Sequence, residues 1–501
     1  MKTWLRVTNG TVVEQAKVPS LPFATFAGDI STATNSGARL VALFAKPRAD
    51  GGAILFAVVA VEADGALFAA CSEVGASYSA LTPNCPQAHL FERDIFETCG
   101  VRPEGHPWLK PVRFPASGRR QTSATTPPCG VMDFYRVAGD EIHEVAVGPV
   151  HAGIIEPGHF RFQCHGEIVH HLEISLGFQH RGIERALLGG PHPRTIHHME
   201  TLAGDTTVGH ATAYSRIVES LGHLRVPARA QALRGVAQEL ERLACHIGDL
   251  GALAGDVGFL PTQSYCGRIR GDALNLTAVL CGNRFSRGLV VPGGTAQDVG
   301  DAEIADLLAR NATLRRDATS AIELLFGAPS VMARFEGVGV VPTDVCHALG
   351  LVGVAARASG VARDVRNDFP YGFFRFSHLP ICTWDTNDVF ARAYVRWLEI
   401  QQSLAFVADQ LHALPGGAVR GESTAVTLTP NSFVVTLVEG WRGEIVHAAI
   451  TDAGGHFALY KVFDPSFHNW AGLAYALRDA QISDFPLCNK SFNLSYCGHD
   501  L

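Results

Sequence analysis

The sequence predicts an α+β fold, with a small N-terminal α/β sandwich followed by a larger, mostly helical region that has β-sheets at its periphery. Apolar runs with the length and alternation of strands fall in separate parts of the chain, at 38–72, 145–174 and 426–463. The segments 206–221 and 228–254 instead repeat their apolar residues at helical spacing. Strands and helices that are segregated along a chain are typical of α+β proteins.

The first 114 residues form the predicted N-terminal module. Residues 38–45, 53–61 and 67–72 are expected to be strands of one small sheet, because each is a short apolar run bounded by polar or glycine-rich segments. Residues 91–100 predict a short helix that ends at its glycine, the residue most favoured at that position. The module therefore combines strands with little helix.

Residues 115–131 form the predicted linker. This stretch is rich in serine, threonine and proline and has few apolar residues to bury. The second module spans 132–501. Its predicted helices lie at 206–221, 228–254, 301–326, 343–358, 387–414 and 470–479.

The helix predicted at 387–414 carries four charged residues at spacings of four, four and three: Asp388, Arg392, Arg396 and Glu399. Side chains at these spacings share one face of a helix and attract each other when their charges are opposite. We therefore expect a ladder of ion pairs along this face.

Composition excludes several classes of protein. The 501 residues are 47% hydrophobic, which is ample for a globular core, and the net charge of −7 without a basic cluster argues against a nucleic-acid partner. The twelve cysteines include no Cys-x-x-Cys pair and indicate reduced thiols. The N-terminus lacks the apolar core of a secretory signal, and no apolar run is long enough for a transmembrane segment.

Several motifs occur in order along the chain. They are GPVH (148–151), HRGIE (180–184), ELER (239–242) with His246, VPGG (291–294), RASGVARDVRNDFPY (357–371), VEGWRGE (438–444), HNW (468–470) and SDFPL (483–487). Together they resemble the large subunit of energy-converting, membrane-bound nickel–iron hydrogenases of the formate-hydrogenlyase type. They are also similar to the homologous D-type subunit of complex I, the NADH–quinone oxidoreductase, although VEGWRGE, HNW and SDFPL resemble the hydrogenases in particular.

The first module also carries part of the resemblance. Through Glu92-Arg93-Asp94 and Glu104-Gly105-His106-Pro107 it resembles the C-type subunit of complex I, which is often fused ahead of the D-type subunit. The resemblance thus implies a C-type-like domain at 1–114 and a hydrogenase large-subunit or D-type-like domain at 132–501.

The hydrogenases of this family hold nickel and iron with four cysteine thiolates from two Cys-x-x-Cys pairs, since soft sulfur ligands suit these metals. The resemblance places Ala203 and Thr206 at the positions of the first pair and Ser495 and Gly498 at those of the second. We therefore expect no nickel–iron site, no other metal site, and no cofactor in this chain. Iron–sulfur clusters are expected in a partner subunit.

In complex I, a tyrosine and a histidine hold the quinone head group. The resemblance places the tyrosine position at Gly204, while His151 and His159 both lie in the loop that carries the histidine. The tyrosine of the family's quinone site is therefore replaced in this chain, and a quinone is a candidate electron acceptor.

The candidate catalytic residues are those that the resemblance places around the inherited cavity. Glu184 matches the glutamate that relays protons in hydrogenases; alternatively it stabilises the start of a helix. Arg357, Asp364 and Arg366, together with His151, are expected to line the same cavity; alternatively the charged residues of this loop form a structural ion-pair network.

Two further polar residues flank the positions of the lost metal ligands. Asp205 and His210, together with Thr206, are candidates for binding water, an anion or a quinone-like ring. The alternative is that these side chains fill the space that the metals occupy in hydrogenases.

The resemblance leaves three functions open. The first is a subunit of a membrane complex, bound at the inner, cytoplasmic face, that transfers electrons coupled to proton or ion translocation without a nickel–iron site. Its expected partners are a small iron–sulfur subunit, antiporter-like subunits and other membrane subunits. The second is a redox-inactive scaffold or assembly subunit of such a complex, and the third is a hydrogenase with a non-standard metal centre.

Overall fold

A computed structural model describes residues 1–115, 129–153, 155–421 and 426–501. Residues 116–128 of the predicted linker lie outside the described residues, so the division of the chain at 115–131 stays a prediction. Helices and small sheets are both present, which confirms the α+β class. Within the part that the structure describes, none of the helices combines the length and apolar character needed to cross a bilayer.

The N-terminal region is built around an antiparallel sheet of order β1-β5-β4-β3, and the predicted strands and short helix are confirmed. Its helix α2 ends at Gly100, whose φ of 74° is the left-handed conformation that favours glycine. The elements are β1 (Leu5–Val7), β2 (Val13–Glu14), α1 (Phe23–Asn35), β3 (Arg39–Pro47), β4 (Ala53–Val61), β5 (Ala66–Val74), β6 (Ser77–Ser79), α2 (His89–Cys99) and β7 (Arg102–Glu104).

The central region begins with the antiparallel sheet β10-β9-β8 and continues as helices. The elements are β8 (Ile142–Val147), β9 (His159–His165), β10 (Ile168–Ser175), α3 (Ile183–Leu187), α4 (Thr195–Leu202), α5 (Thr207–Leu221), α6 (Ala228–Asp256), α7 (Leu260–Cys281), β11 (Val290–Val291), β12 (Gly294–Thr295), α8 (Asp301–Phe326), α9 (Pro329–Phe335), α10 (Thr343–Leu349), α11 (Gly353–Arg357), α12 (Val365–Asp368) and α13 (Val389–His412).

The C-terminal region returns to strands and ends in short helices. The elements are β13 (Ser432–Glu439), β14 (Glu444–Thr451), β15 (Phe457–Phe463), α14 (Pro465–Ala476), α15 (Phe485–Phe492) and α16 (Tyr496–Asp500).

Helix α6 is the centre of the helical region. It packs against α7 and α13, and its apolar stripe, which includes Leu233, Leu240 and Ile247, is fully buried. Helix α7 was not predicted. Its buried face combines large apolar residues, among them Ile269 and Leu276, with Thr262 and Thr277, so its apolar stripe is less regular than that of α6.

The single helix predicted at 343–358 is wrong. The structure has two short helices, α10 and α11, because Gly350 adopts a left-handed conformation with φ of 67° and ends the first one. The sequence pattern did not reveal the break, since apolar residues continue on both sides of it.

The ion-pair ladder predicted on α13 is also wrong. The face that carries it is buried, so its charged side chains bind partners on other elements. Arg396 donates to Asp249 on α6 at 2.8 Å, and Arg392 donates to Ser491 on α15 at 2.8 Å. The charged residues of α13 thus join it to its neighbours.

The N-terminal and C-terminal regions share a sheet and an apolar core. Strand β2 pairs with β13, which gives a sheet of order β15-β14-β13-β2. Phe56 stacks on Phe433 across this boundary, with ring centroids 6.1 Å apart. Arg39 also donates two hydrogen bonds to Glu444, of 2.7 and 2.6 Å, and both side chains are buried.

Replacing Arg39 with methionine should strongly destabilise the protein, because it leaves the Glu444 carboxylate buried without its partner. We expect the free energy of unfolding, measured by urea denaturation, to fall by about 3–5 kcal/mol. The matched control is Arg334→Met, which removes an exposed pair with Asp484 and should cost at most about 1 kcal/mol. Equal losses in the two variants would contradict the importance of the buried pair.

Candidate functional site

The candidate site lies where the start of α5, the turn between β13 and β14, and the C-terminal helix α16 meet. Arg442 in the turn donates to Asp205, just before α5, through two hydrogen bonds of 2.6 and 2.7 Å. Its guanidinium also lies over the Trp441 ring, 3.9 Å from the centroid. Asp205 is partly exposed, whereas Arg442 is buried.

Ala203 and Thr206 are both buried beside this ion pair. The Thr206 hydroxyl accepts hydrogen bonds from Trp441 Nε1 at 3.1 Å and from Arg442 at 3.3 Å. Ala203 belongs to an apolar cluster that includes Cys497. Side chains of the protein therefore surround both positions.

Ser495 and Gly498 meet the same region from the opposite end of the chain. Ser495 caps α16 by accepting a hydrogen bond of 2.9 Å from the Gly498 backbone. A Cβ atom at position 498 would lie 2.7 Å from Asp464 Cγ and 2.9 Å from Ser495 Oγ. A larger side chain at this position requires Asp464 to move.

His210 belongs to a chain of buried hydrogen bonds that ends at Asp464. His210 Nε2 lies 3.1 Å from Asp464 Oδ2, His210 Nδ1 lies 3.1 Å from His447 Nε2, and His447 Nδ1 lies 2.8 Å from the Tyr460 hydroxyl. With both histidines neutral and protonated at Nε2, each contact has one donor and one acceptor. Burial is the largest effect on His447 and holds its pKa well below the usual value.

Arg357, Asp364 and Arg366 belong to a second, fully buried network. Arg357 donates to Glu399 at 2.9 Å and to Glu439 at 2.8 Å. Arg366 donates to Asp364 at 2.6 Å and to both oxygens of Glu239 at 3.0 Å. Two more members on α6 complete the network: Arg242 and His246.

This network contains more carboxylates than arginines. Its three arginines face four carboxylic acids, which are Glu239, Asp364, Glu399 and Glu439. Burial and the charge of Asp364 outweigh the arginines at Glu439 and raise its pKa to about 7. The pKa of this buried carboxyl group therefore lies close to neutral pH.

Glu184 lies in a separate ion-pair cluster. Its carboxylate accepts from Lys461 at 2.6 Å and from the Val462 backbone at 3.0 Å. Lys461 also donates to Asp94 of the N-terminal region at 2.8 Å. Burial alone would lower the pKa of Lys461, but Asp94 and Glu184 outweigh it and raise that pKa.

His151 lies in the loop between β8 and β9, where its Nε2 is 2.9 Å from the Gly158 carbonyl oxygen. This loop contacts the start of α16, since Glu156 accepts hydrogen bonds from the backbones of Tyr496 and Cys497 at 3.1 and 3.3 Å. The structure thus brings the His151 loop to the C-terminal helix. Among the described residues, however, no hydrogen bond joins the His151 side chain to Arg357, Asp364 or Arg366.

The four positions that the resemblance assigns to metal ligands hold a methyl group, two hydroxyls and a glycine. None is a thiolate, and each is packed against protein atoms. Throughout the described ranges, no three histidine, cysteine, aspartate or glutamate side chains are grouped so that they could hold a metal ion.

Comparison with known proteins supports the resemblance of the motifs. Residues 256–436 match the model of the respiratory-chain NADH dehydrogenase 49 kDa subunit. The chain is 29% identical to formate hydrogenlyase subunit 5 of Escherichia coli, covering 84% of this chain and 76% of that protein. It is 30% identical to the carbon monoxide-induced hydrogenase of Rhodospirillum rubrum, covering 70% of this chain and 97% of that protein.

The chain belongs to the family of the NADH dehydrogenase 49 kDa subunit and its hydrogenase relatives. A further member, NADH-quinone oxidoreductase subunit 4 of Thermus thermophilus, is 28% identical over 69% of this chain and 90% of its own length. The family expected from the sequence is therefore confirmed, and relatives of this chain are subunits of NADH-quinone oxidoreductase and of formate hydrogenlyase.

Several residues of the site were missed in the sequence. Arg442 lies within a recognised family motif, VEGWRGE, and that motif was a usable signal. Asp464 precedes a proline and a serine, a pattern typical of a helix start, and it caps α14 as that pattern indicates. Neither signal reveals that Asp464 also reaches His210, which is 254 residues away in the sequence.

Replacing Gly498 with alanine should destabilise α16, because the new methyl group overlaps Asp464. We expect a loss of about 1–3 kcal/mol, typical of overpacking, seen as a lower thermal unfolding midpoint. The control is Gly204→Ala in the same site, where a Cβ atom meets nothing within 4 Å. Equal stability of Gly498→Ala and Gly204→Ala would show that Asp464 does not fill the space beside Gly498.

Titration of Glu439 should appear in the pH dependence of stability. Its pKa of about 7 exceeds the ordinary 4.5, so the folded state binds this proton more tightly than the unfolded state. Stability should therefore fall as pH rises from about 4.5 to 7, by up to about 3 kcal/mol from this group. Glu439→Gln should remove that part of the slope, whereas the exposed Glu323→Gln should not; an unchanged slope in Glu439→Gln would contradict the assignment.

Proposed function

We propose that this protein is a subunit of a membrane-associated oxidoreductase complex in which electron transfer is coupled to proton or ion translocation, and that it lacks a nickel–iron site. The relatives named as subunits of NADH-quinone oxidoreductase and formate hydrogenlyase support the complex. The observation that supports the rest is the buried network of Arg357, Arg366 and Glu439, in which burial and the charge of Asp364 raise the pKa of Glu439 to about 7.

The four ligand positions do not fit a nickel–iron centre. Such a centre needs thiolates, and Ala203, Thr206, Ser495 and Gly498 supply none. The chemistry of the donor set therefore supports a protein whose family site is filled by its own side chains. No step of the proposed function passes through a metal in this chain.

Different residues of the chain have different roles in the proposed proton transfer. Glu439 takes up and releases a proton, and Arg357 and Arg366 hold the surrounding carboxylates in place. Glu184, paired with Lys461, is proposed as a second proton-carrying group at the boundary with the N-terminal region. Asp464 and His210 form a further hydrogen-bonded path beside the former ligand positions.

The proposal also includes the arrangement of the complex. Residues 1–114 act as a C-type-like domain and 132–501 as a D-type-like domain. The partners are a small subunit that carries the iron–sulfur clusters, antiporter-like subunits and other membrane subunits, and the complex lies on the inner face of the cell membrane. A quinone is the proposed class of electron acceptor.

Turnover of the purified complex tests the proposal. We expect reduction or oxidation of a quinone or a redox dye. Glu184→Gln should lower its rate by roughly 100-fold, the usual minimum for loss of a proton-transferring group. Arg366→Ala should also lower the rate, because it releases the carboxylates that surround Glu439. Glu323→Gln, an exposed substitution on α8, is the matched control and should leave the rate unchanged.

Assembly and metal content separate the alternatives. Subunit composition is measured for each variant, because Arg366→Ala removes the nearest partner of Asp364 and one of the two arginines that bind Glu239, and can therefore weaken folding. Unaltered turnover in both variants would refute the proposal, and an assembled complex that is silent in all redox assays would indicate a scaffold. Stoichiometric nickel in the purified chain would instead indicate a hydrogenase with a non-standard centre.

A further inference from the structure

A cavity of about 240 Å³ lies between helices α5 and α6, apart from the residues of the proposed function. Helix α5 lines it with Thr212, Arg216 and Glu219, and α6 lines it with Arg234. The segment 371–375 and the loop at Asn9 close its sides. Facing helices usually bury apolar side chains against each other, so a polar cavity at this interface requires an explanation.

The described side chains that line this cavity carry excess positive charge. Arg234 and Glu219 neutralise each other through hydrogen bonds of 3.2 and 2.6 Å. Arg216 donates only to neutral acceptors, among them the Asn9 side chain at 3.1 Å, and Arg375 donates to a backbone carbonyl at 3.4 Å. Within the described ranges, neither Arg216 nor Arg375 forms an ion pair, so the described lining has a net charge of +2.

The two arginines affect each other. Burial and the nearby charge of Arg375 lower the pKa of Arg216 to about 10, although the Tyr371 ring beneath it and Glu219 oppose this shift. The carboxylate of Glu219 is already engaged by Arg234. Two cations held close together beside a carboxylate that is already paired are stabilised when an anion binds between them.

Thr212 provides an independent indication of a ligand. Its side chain is only 4% exposed, and its hydroxyl lacks a hydrogen-bond partner among the described residues. Thr212 lies one helical turn before Arg216, so both side chains are on the same face of α5. Buried hydroxyl groups are nearly always hydrogen-bonded, and an oxyanion in the cavity would supply the missing acceptor.

We infer that this cavity binds a small dianion, whose phosphate or dicarboxylate oxygens are held by Arg216 and Arg375 and accept a hydrogen bond from Thr212. A dianion balances the net charge of +2, and the volume admits only a small molecule. Arginine suits this role because its planar donors match both phosphate and carboxylate groups.

Isothermal titration calorimetry of the full chain with inorganic phosphate and, separately, with succinate tests this site. Both titrations use a chloride buffer at the same ionic strength, so that the screening of charges by salt is equal in the two experiments. We expect saturable binding of one or both probes, and the stronger probe identifies phosphate or dicarboxylate as the preferred group.

Two variants locate the binding. Arg375→Gln and Thr212→Val should each weaken it by about tenfold or more, as expected for loss of a hydrogen bond to a charged group. Both should fold normally, since Arg375 is exposed and valine has nearly the shape of threonine. Arg287→Gln removes an exposed arginine that also lies near an aromatic ring and should leave the affinity unchanged.

The results decide the inference independently of the redox function. No saturable binding of either probe, or equal affinity in wild type, Arg375→Gln and Thr212→Val, would overturn it. The calorimetric measurement does not involve turnover with a quinone or dye. Absence of anion binding would therefore leave the proposed redox function unaffected, and absence of redox turnover would leave the anion site unaffected.

Discussion

The buried charge network around Arg357 is the constraint on which the rest of the structure depends. It joins α6, α11, α13 and β13 through side chains that are almost completely buried. Removing Arg357 leaves Glu439 in the interior without its ion-pair partner, which is far more costly than losing an exposed ion pair. These charged groups therefore connect the helices to the C-terminal sheet at specific points, while the apolar stripe of α6 packs between them.

Local sequence determined much of the fold. Strand β4 and helix α8 begin and end at the predicted residues, because their apolar patterns are regular and bounded by clear breaks. Helix α7 was missed because threonine, cysteine and alanine are interspersed with the large apolar residues of its buried face. The helix at 343–358 was predicted as continuous because the left-handed conformation of Gly350 cannot be deduced from composition.

The site was predictable only where its residues are neighbours in the sequence or lie in a family motif. Arg357, Asp364 and Arg366 all fall within the motif at 357–371, so one motif brought them together. Their partners Glu239, Glu399 and Glu439 are separated from them in the sequence, by 127 residues for the pair of Arg366 with Glu239. The separation of these residues in the sequence does not indicate that they are in contact. The excess of carboxylic acids over arginines in the network is therefore apparent only in the folded structure.

The pairing of Arg442 with Asp205 has a consequence for how the protein is made. A site built from thiolates accumulates negative charge and depends on a metal to fold stably, since metal binding and folding are thermodynamically linked. Here a guanidinium and a carboxylate on distant parts of the chain neutralise each other through two hydrogen bonds. The two residues lie 237 positions apart in the sequence, so this neutral pair can form only after translation has passed Arg442.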